Sequence, residues 1–309
     1  MKFVVTGGAG FIGSHVVEAL AGSHTVVVLD NFSSGKPENL EGFSDRITCI
    51  RGSINDLALL KEACKGADGI FHLAAIASVA KSVADPLATH ETNLTGTLNV
   101  LLAARDCGVK KVVFSSSSAV YGDEPTLPKR EDMVPVPLSP YAVSKLAGEY
   151  YCNVFFTLYG VETVSLRYFN VFGPRQDPQS EYAAVIPKFI ARLLNRQAPL
   201  IFGDGKQTRD FVYVRDVVKA NLLAMQSTTT GTFNIGSGIR IDLTTLAGKL
   251  ARIMEIQLPP EYGEPRSGDI RDSVSDITAV KKALGYKTAY SLEKGLEETI
   301  QWFRGRNSA

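Results

Sequence analysis

Cysteine is scarce and scattered. Cys49, Cys64, Cys107 and Cys152 are the four in 309 residues, and none pairs with another as Cys-x-x-Cys. That spacing argues against a disulfide framework and against zinc, and it points to a reducing cytoplasm. Histidine is as sparse, with four residues and no metal-ligand spacing, so no metal is expected. His72, at the end of an apolar strand, reads as a hydrogen-bonded core residue. No apolar run approaches the ~18 residues that a membrane span needs. The start, Met1-Lys2-Phe3-Val4-Val5-Thr6-Gly7, reads as a strand entering glycines and not as a signal peptide. Charge of one sign is not in excess: 33 Lys+Arg stand against 32 Asp+Glu, which gives no argument for nucleic acid or an anionic membrane as partner. Repeats, low-complexity linkers and charge runs are missing too. The length suffices for one large α/β unit or for two domains.

What is present is an alternation. Apolar strands are expected at 2–6, 25–30, 47–51, 69–73, 111–114 and 161–166, with helices at about 11–21, 56–65 and 87–107 between them. Strands apolar throughout and separated by helices imply a parallel sheet covered on both faces, with right-handed crossovers. The fold class is therefore α/β, a Rossmann-type doubly wound parallel sheet. After about residue 167 the loops lengthen and prolines accumulate. We read a smaller mixed α/β substrate-binding lobe from 167–208 and 237–309, with 1–166 and 209–236 forming the dinucleotide-binding part. A ligand belongs in the cleft between them, at the carboxyl ends of the strands.

Gly7-x-x-Gly10-x-x-Gly13 follows a strand and opens a helix. Glycines permit the tight turn and the close approach of a pyrophosphate, and the helix N-terminus supplies free N–H groups. Asp30 ends the second strand, twenty residues after Gly10. A carboxylate there accepts from ribose hydroxyls and repels a 2′-phosphate, which favours NAD over NADP. Alternatively, Asp30 only begins a turn with Asn31. A strand ending in Ser115-Ser116-Ser117-Ser118 precedes Tyr141-x-x-x-Lys145, whose phenol and ammonium share one helix face if the segment is helical. Chance alone makes such pairs on surfaces. Beside a cofactor, however, the ammonium should lower the tyrosine pKa and a strand-end hydroxyl could complete a proton-transfer site.

Together these features resemble the extended short-chain dehydrogenase/reductase family. The marks are Thr6-Gly7-Gly8-Ala9-Gly10-Phe11-Ile12-Gly13, His72-Leu73-Ala74-Ala75, Ser115-Ser116-Ser117 and Tyr141-x-x-x-Lys145. Within it the chain looks like the UDP-hexose 4-epimerases through Arg167-Tyr168-Phe169-Asn170-Val171-Phe172-Gly173-Pro174, Gly203-Asp204-Gly205, Thr208-Arg209-Asp210-Phe211 and Arg266-Ser267-Gly268-Asp269. The stretch 174–188 is most similar to the branch acting on UDP-N-acetylglucosamine. The resemblance implies Tyr141 as base, Lys145 on the nicotinamide ribose and Ser117 on the reacting sugar oxygen. It implies NAD contacts at Gly7, Gly10, Phe11, Ile12, Gly13, Asp30, Asn31, Ser34, Gly35, Leu73, Ala74, Ala75, Asn93, Ser115, Tyr141, Lys145 and Tyr168. It implies UDP-sugar contacts at Ser117, Ser118, Tyr141, Asn170, Ala184, Val185, Arg209, Arg266, Asp269 and Ser273. Guanidinium forks suit diphosphate oxygens, although Arg209 and Arg266 could also form an inter-lobe salt bridge. A homodimer through helices near 87–107 and 141–158 is implied as well, although both could equally be ordinary sheet-covering helices.

Departures from the family pattern narrow the reaction. Ser53 stands where many relatives carry an aspartate for the adenine amine, and Ala77 where galactose-type epimerases carry a lysine. Dehydratases follow the serine or threonine with Asp-Glu, and uronic acid decarboxylases usually have a glutamate there; this chain has Ser118-Ala119. A hydride shuttle without elimination is then expected, which is 4-epimerisation. Ser273 stands where glucose/galactose-restricted epimerases commonly have tyrosine, and so leaves room for a 2-acetamido group; alternatively it is an ordinary loop serine. A UDP-glucuronic acid 4-epimerase, a 4,6-dehydratase and a non-catalytic NAD-binding regulator are the rival readings.

Overall fold

A computed structural model describes residues 1–178, 184–265 and 270–307. Among these residues twelve strands run in chain order: β1 Lys2–Thr6, β2 Thr25–Asp30, β3 Ile47–Arg51, β4 Gly69–His72, β5 Lys111–Ser117, β6 Glu162–Tyr168, β7 Asn170–Phe172, β8 Leu200–Phe202, β9 Thr208–Tyr213, β10 Gly231–Ile235, β11 Arg240–Asp242 and β12 Glu261–Gly263. Seven of them form one parallel sheet, ordered β10-β6-β5-β4-β1-β2-β3. The strand order reverses between β1 and β4, so a crevice opens at their carboxyl ends. The doubly wound sheet expected from the apolar runs is therefore present.

The helices on its two faces are amphipathic and well terminated. α1 (Phe11–Leu20) buries Val16, Val17 and Leu20, and α2 (Leu57–Cys64) begins where the Asp56 side chain accepts the Leu59 N–H. The expected helix over 87–107 is divided. α3 (Val79–Ala84) and α4 (Pro86–Thr89) precede a single wide π-type turn at His90–Thr95, which leads into α5 (Gly96–Asp106). Such turns often mark functional sites. α6 (Pro140–Tyr159) is capped by the Ser139 hydroxyl, which accepts the Ala142 N–H at 3.2 Å, and Pro140 fills its first turn. Gly160, at φ +70°, ends it by donating to the Phe156 carbonyl at 3.0 Å.

The smaller sheets are β11-β9-β7 and β12-β8. With α7 (Val185–Leu194), α9 (Leu243–Met254) and α11 (Leu292–Asn307) they enclose a separate apolar core that includes Phe172, Phe189, Ile190, Leu246, Leu250 and Leu296. Within 209–236, α8 (Val214–Gln226) packs on the main core and β10 edges the main sheet, whereas β9 pairs with β7 and β11. α10 (Thr278–Leu284) also returns to the main core through Val280 and Leu284.

Candidate active site

The turn after β1 is held closed by backbone contacts that leave no room for a side chain. The Gly10 N–H donates to the Gly7 carbonyl at 3.1 Å, and Gly7 adopts φ +70°. A Cβ on Gly7 would lie 2.6 Å from the Ala74 nitrogen, and one on Gly13 would lie 2.1 Å from the Gly7 oxygen. The turn therefore sits flat against Leu73 and Ala74 at the end of β4, and α1 begins immediately beyond it at Phe11 and Ile12. Asp30 is buried at the end of β2, where it accepts the Ala9 N–H at 2.9 Å and the Phe32 N–H at 2.8 Å. Gly35 packs so tightly that a Cβ would meet the same carboxylate at 2.9 Å, while Asn31 and Ser34 are exposed on the rim. At Ser53 the hydroxyl accepts the Asn55 N–H at 3.1 Å, within the local turn.

Asn93 lies in the π-type turn. Its carboxamide accepts the Ile76 N–H at 2.8 Å and donates back to the Ile76 carbonyl at 3.1 Å, which fixes the segment that follows Ala75. It also donates to the Ser144 hydroxyl at 3.1 Å and so ties this loop to α6.

Tyr141 and Lys145 occupy consecutive turns of α6, as the spacing predicts. The Lys145 ammonium donates to the Ser115 carbonyl at 2.7 Å and lies 5.1 Å from the Phe114 ring centre and 5.9 Å from that of Tyr141. The Ser117 side chain draws the Tyr141 phenol down, and its oxygen accepts the Ala119 N–H at 3.1 Å. The four groups thus converge at the end of β5. One expectation needs correction. Burial pushes the Tyr141 phenol up, against the pull of Ser117, so the lowered phenol expected beside Lys145 is not found in the chain alone. The physical reason is desolvation, which penalises the phenolate more than its polar neighbours stabilise it. Burial lowers Lys145 itself to about 8, against the pull of Glu149. His72 is a core residue as expected: it is held between Thr6 and Thr97 hydroxyls at 2.8 and 2.9 Å, and burial depresses it to about 3.

Further along the same edge, the Tyr168 hydroxyl donates to Asn221 of α8 at 2.9 Å. The Asn170 amide donates to the Asp210 carbonyl at 3.1 Å, and the Arg209 guanidinium to the carbonyls of Thr208 and Arg271 at 2.9 and 3.3 Å. The Ser273 N–H donates to the Thr208 carbonyl at 3.1 Å, so Ser273, Arg209 and Asn170 are brought together around β9. Ser118 starts the short turn after β5, and Ala184 and Val185 start α7, with Ala184 exposed. Arg266 and Asp269 lie outside the described residues.

The sequence reading missed the polar groups beneath this edge. Glu149, one turn beyond Lys145, is buried in a two-pronged ion pair with Arg167. The Asp210 carboxylate accepts from the N–H groups of Ser237, Gly238 and Ser275 at 2.8, 3.1 and 3.0 Å and from both serine hydroxyls. The spacing of Lys145 and Glu149 was the available signal for the first. Nothing local announces the second, which joins residues 27 and 65 positions apart. Among the described residues no group of three or more potential metal ligands occurs and no helix is long and apolar enough to cross a membrane.

The glycine cradle, the carboxylate at the end of β2 and the Ser117–Tyr141–Lys145 group at the end of β5 fit a dinucleotide laid across the switch point. Comparison with known proteins agrees. The chain is 41% identical over 313 residues to a UDP-glucose 4-epimerase of Mycolicibacterium smegmatis, covering 99% of this chain and 100% of the relative. It is 38% identical over 317 residues to a UDP-N-acetyl-alpha-D-glucosaminuronate decarboxylase of Bacillus cytotoxicus, covering 98% of each. Its structure superposes with TM-score 0.96 on a UDP-N-acetylglucosamine 4-epimerase from Methanobrevibacter ruminantium, solved with UDP-N-acetylmuramic acid, at 44% identity and covering 99% and 98% of the two chains. Residues 3–236 match the family model, and with the cradle and the Tyr-Lys pair in place, the chain belongs to the NAD dependent epimerase/dehydratase family.

Proposed function

We propose that the chain is a UDP-hexose 4-epimerase that interconverts UDP-N-acetylglucosamine with UDP-N-acetylgalactosamine and also accepts UDP-glucose and UDP-galactose. The observation that carries this reading is the meeting of Ser117, Tyr141 and the Lys145 ammonium at the end of β5, followed by Ala119 where an eliminating enzyme needs a carboxylate. Residues 7–13, Asp30, Leu73–Ala75 and Lys145 would hold NAD. Bound there, NAD⁺ would supply a reversible hydride acceptor for C4 of the sugar, and its positive charge together with that of Lys145 would offset the burial that disfavours the Tyr141 phenolate. Tyr141 takes the O4 proton and later gives it back. Ser117 hydrogen-bonds the oxygen on which charge develops. Asn170, Arg209 and Arg266 keep the uridine diphosphate in place while the sugar turns, so binding energy is concentrated away from the reacting carbon. With no acid and base beyond Ser117, dehydration has no proton carriers, and Tyr141 and Lys145 argue against a mere sensor of NAD. A uronic acid 4-epimerase would need a further cation facing the sugar carboxylate.

The same reading includes a homodimer. α6 leaves Val143, Tyr150, Val154 and Leu158 at 51, 57, 45 and 66% exposure along one stripe, and Val79, Val83 and Leu87 are exposed on the helices packed beside it. A second copy of this chain is the expected cover.

The test is conversion of UDP-N-acetylglucosamine by purified protein, followed by NMR. Tyr141→Phe should cut turnover by about 10²–10⁴-fold with unchanged UDP affinity by calorimetry. Near-normal turnover in that variant, or conversion of UDP-glucuronic acid alone, refutes the assignment.

A further inference from the structure

Buried charges lie next to the reacting pair on α6 and β6. Ser116 and Arg167 are cross-strand partners in the β5–β6 register, and both turn towards α6 and meet Glu149. Arg167 donates from Nε to Oε1 at 2.9 Å and from Nη2 to Oε2 at 2.7 Å, and the Ser116 hydroxyl donates to Oε1. The guanidinium also lies 4.8 Å from the Tyr121 ring centre, and the Tyr121 hydroxyl donates to Asn234 at 2.7 Å. Glu149 follows Lys145 by four residues on the same helix face. Lys145, Glu149 and Arg167 are 3, 3 and 4% exposed. A carboxylate therefore stands between two buried cations.

Lys145 needs that carboxylate. Its hydrogen bond goes to a neutral carbonyl, which orients the ammonium without balancing its charge. The surrounding elements offer little else. α6 presents Tyr141 and Glu149, β4 presents His72, which burial keeps neutral, and β6 presents Arg167 and Tyr168. Tyr121 belongs to the short turn after β5, and β5 itself offers the Ser115 carbonyl and the Phe114 ring. Lys81, His90 and Glu91 on the neighbouring helices and turn are exposed, as are Arg105 and Asp106 of α5, which pair with each other. Among the described residues Glu149 is the carboxylate buried on this face.

We propose that Glu149 is a positioning residue for the reaction: its carboxylate, locked by Arg167 and Ser116, keeps the buried Lys145 ammonium charged and aimed at the end of β5. The role rests on the reading of Tyr141 and Lys145 as the reacting pair. Glu149 itself touches neither substrate nor cofactor. Its charge opposes the burial that otherwise drives Lys145 towards its neutral form.

The experiment follows the Lys145 ¹³Cε resonance against pH in the cofactor-loaded protein, assigned by its loss in Lys145→Met, with kcat measured over the same range. In Glu149→Gln the Lys145 midpoint should fall by about one pH unit or more, and the alkaline limb of kcat should move down with it. Arg167→Met leaves the carboxylate facing Lys145, so its midpoint should stay or rise. Glu149→Asp should restore the midpoint to within about half a unit. An unchanged midpoint in Glu149→Gln, or equal falls in Glu149→Gln and Arg167→Met, overturns the proposal, because a purely structural pair would respond alike to the loss of either member. Should Glu149→Gln fail to fold by circular dichroism, the double variant Glu149→Gln/Arg167→Met removes the pair without leaving a lone buried charge; there too the midpoint must fall, and an unchanged value overturns the proposal. Failure of the wild type to convert any UDP-sugar would sink the epimerase reading, whereas the NMR midpoints test Glu149 independently.

Discussion

Replacing Ser273 by tyrosine tests the substrate assignment most directly. Ser273 is 9% exposed, and its N–H donates to the Thr208 carbonyl at 3.1 Å. On the other side of the residue pair, the Thr208 N–H donates to the Arg271 carbonyl at 3.0 Å and the Thr208 hydroxyl to Asp272 at 2.5 Å. The backbone of 271–273 is thus stitched to β9, the strand that carries Arg209. On the proposed reading, it cannot retreat to admit a ring without loosening the diphosphate clamp, and the new side chain takes its space from the sugar. Overpacking of that kind costs typically 1–3 kcal/mol. Taking about 2 kcal/mol and assigning it to the bulkier substrate gives roughly a 30-fold selective loss. The assay is kcat/KM for UDP-N-acetylglucosamine and for UDP-glucose in wild type, Ser273→Tyr and Ser273→Ala. The ratio should drop by that factor in the tyrosine variant and stay near wild type in the alanine variant. Equal losses for both substrates would refute a gate at 273 and indicate that the ring had disturbed β9 instead.

Other perturbations report on the cradle, the helix stripe and the buried lysine. Gly13→Ala places a Cβ against the backbone of Gly7 and Gly8, which has no flexible side chain to move aside; a loss of about 2–4 kcal/mol in urea unfolding and of co-purifying NAD is expected, and a normal unfolding midpoint would contradict the contact. Val154→Glu puts a charge in the middle of the exposed α6 stripe and should shift the protein to monomer in sedimentation; a monomeric wild type would remove the dimer. Burial lowers Lys145 from 10.5 to about 8 in the folded state, so between those values the unfolded chain binds more protons and stability rises with pH. In protein freed of cofactor, the difference in unfolding free energy between wild type and Lys145→Met should grow in favour of the wild type by on the order of 3 kcal/mol across that window. A flat difference would show that the ammonium is not desolvated.

The central sheet was legible because its signals are local: apolar runs such as Thr25–Asp30, a glycine turn between strand and helix, and a Tyr-Lys pair at helical spacing. What escaped was non-local or inverted the usual rule. Lys and Glu four apart ordinarily describe a solvated helix face, yet Lys145 and Glu149 are both buried because Arg167 arrives from β6. The wide turn at 90–95 interrupts a segment whose composition reads simply as helix, since Asn93 is engaged by Ile76 and Ser144. The Tyr141 pKa depended on how deeply the phenol is buried, which spacing does not encode.

The strand order has a consequence for the growing polypeptide. β6 pairs with β5 on one side and with β10 on the other, and β10 lies more than sixty residues downstream of it. During synthesis the first six strands can assemble while the free side of β6 still shows its unpaired N–H and C=O groups, a template for pairing with another nascent chain. Meanwhile Tyr168 lacks Asn221 and Tyr121 lacks Asn234, the two amides that later seal its hydroxyl neighbours in the interior. Chains stopped before Gly231 should therefore aggregate even though every residue of the cofactor cradle has already been made.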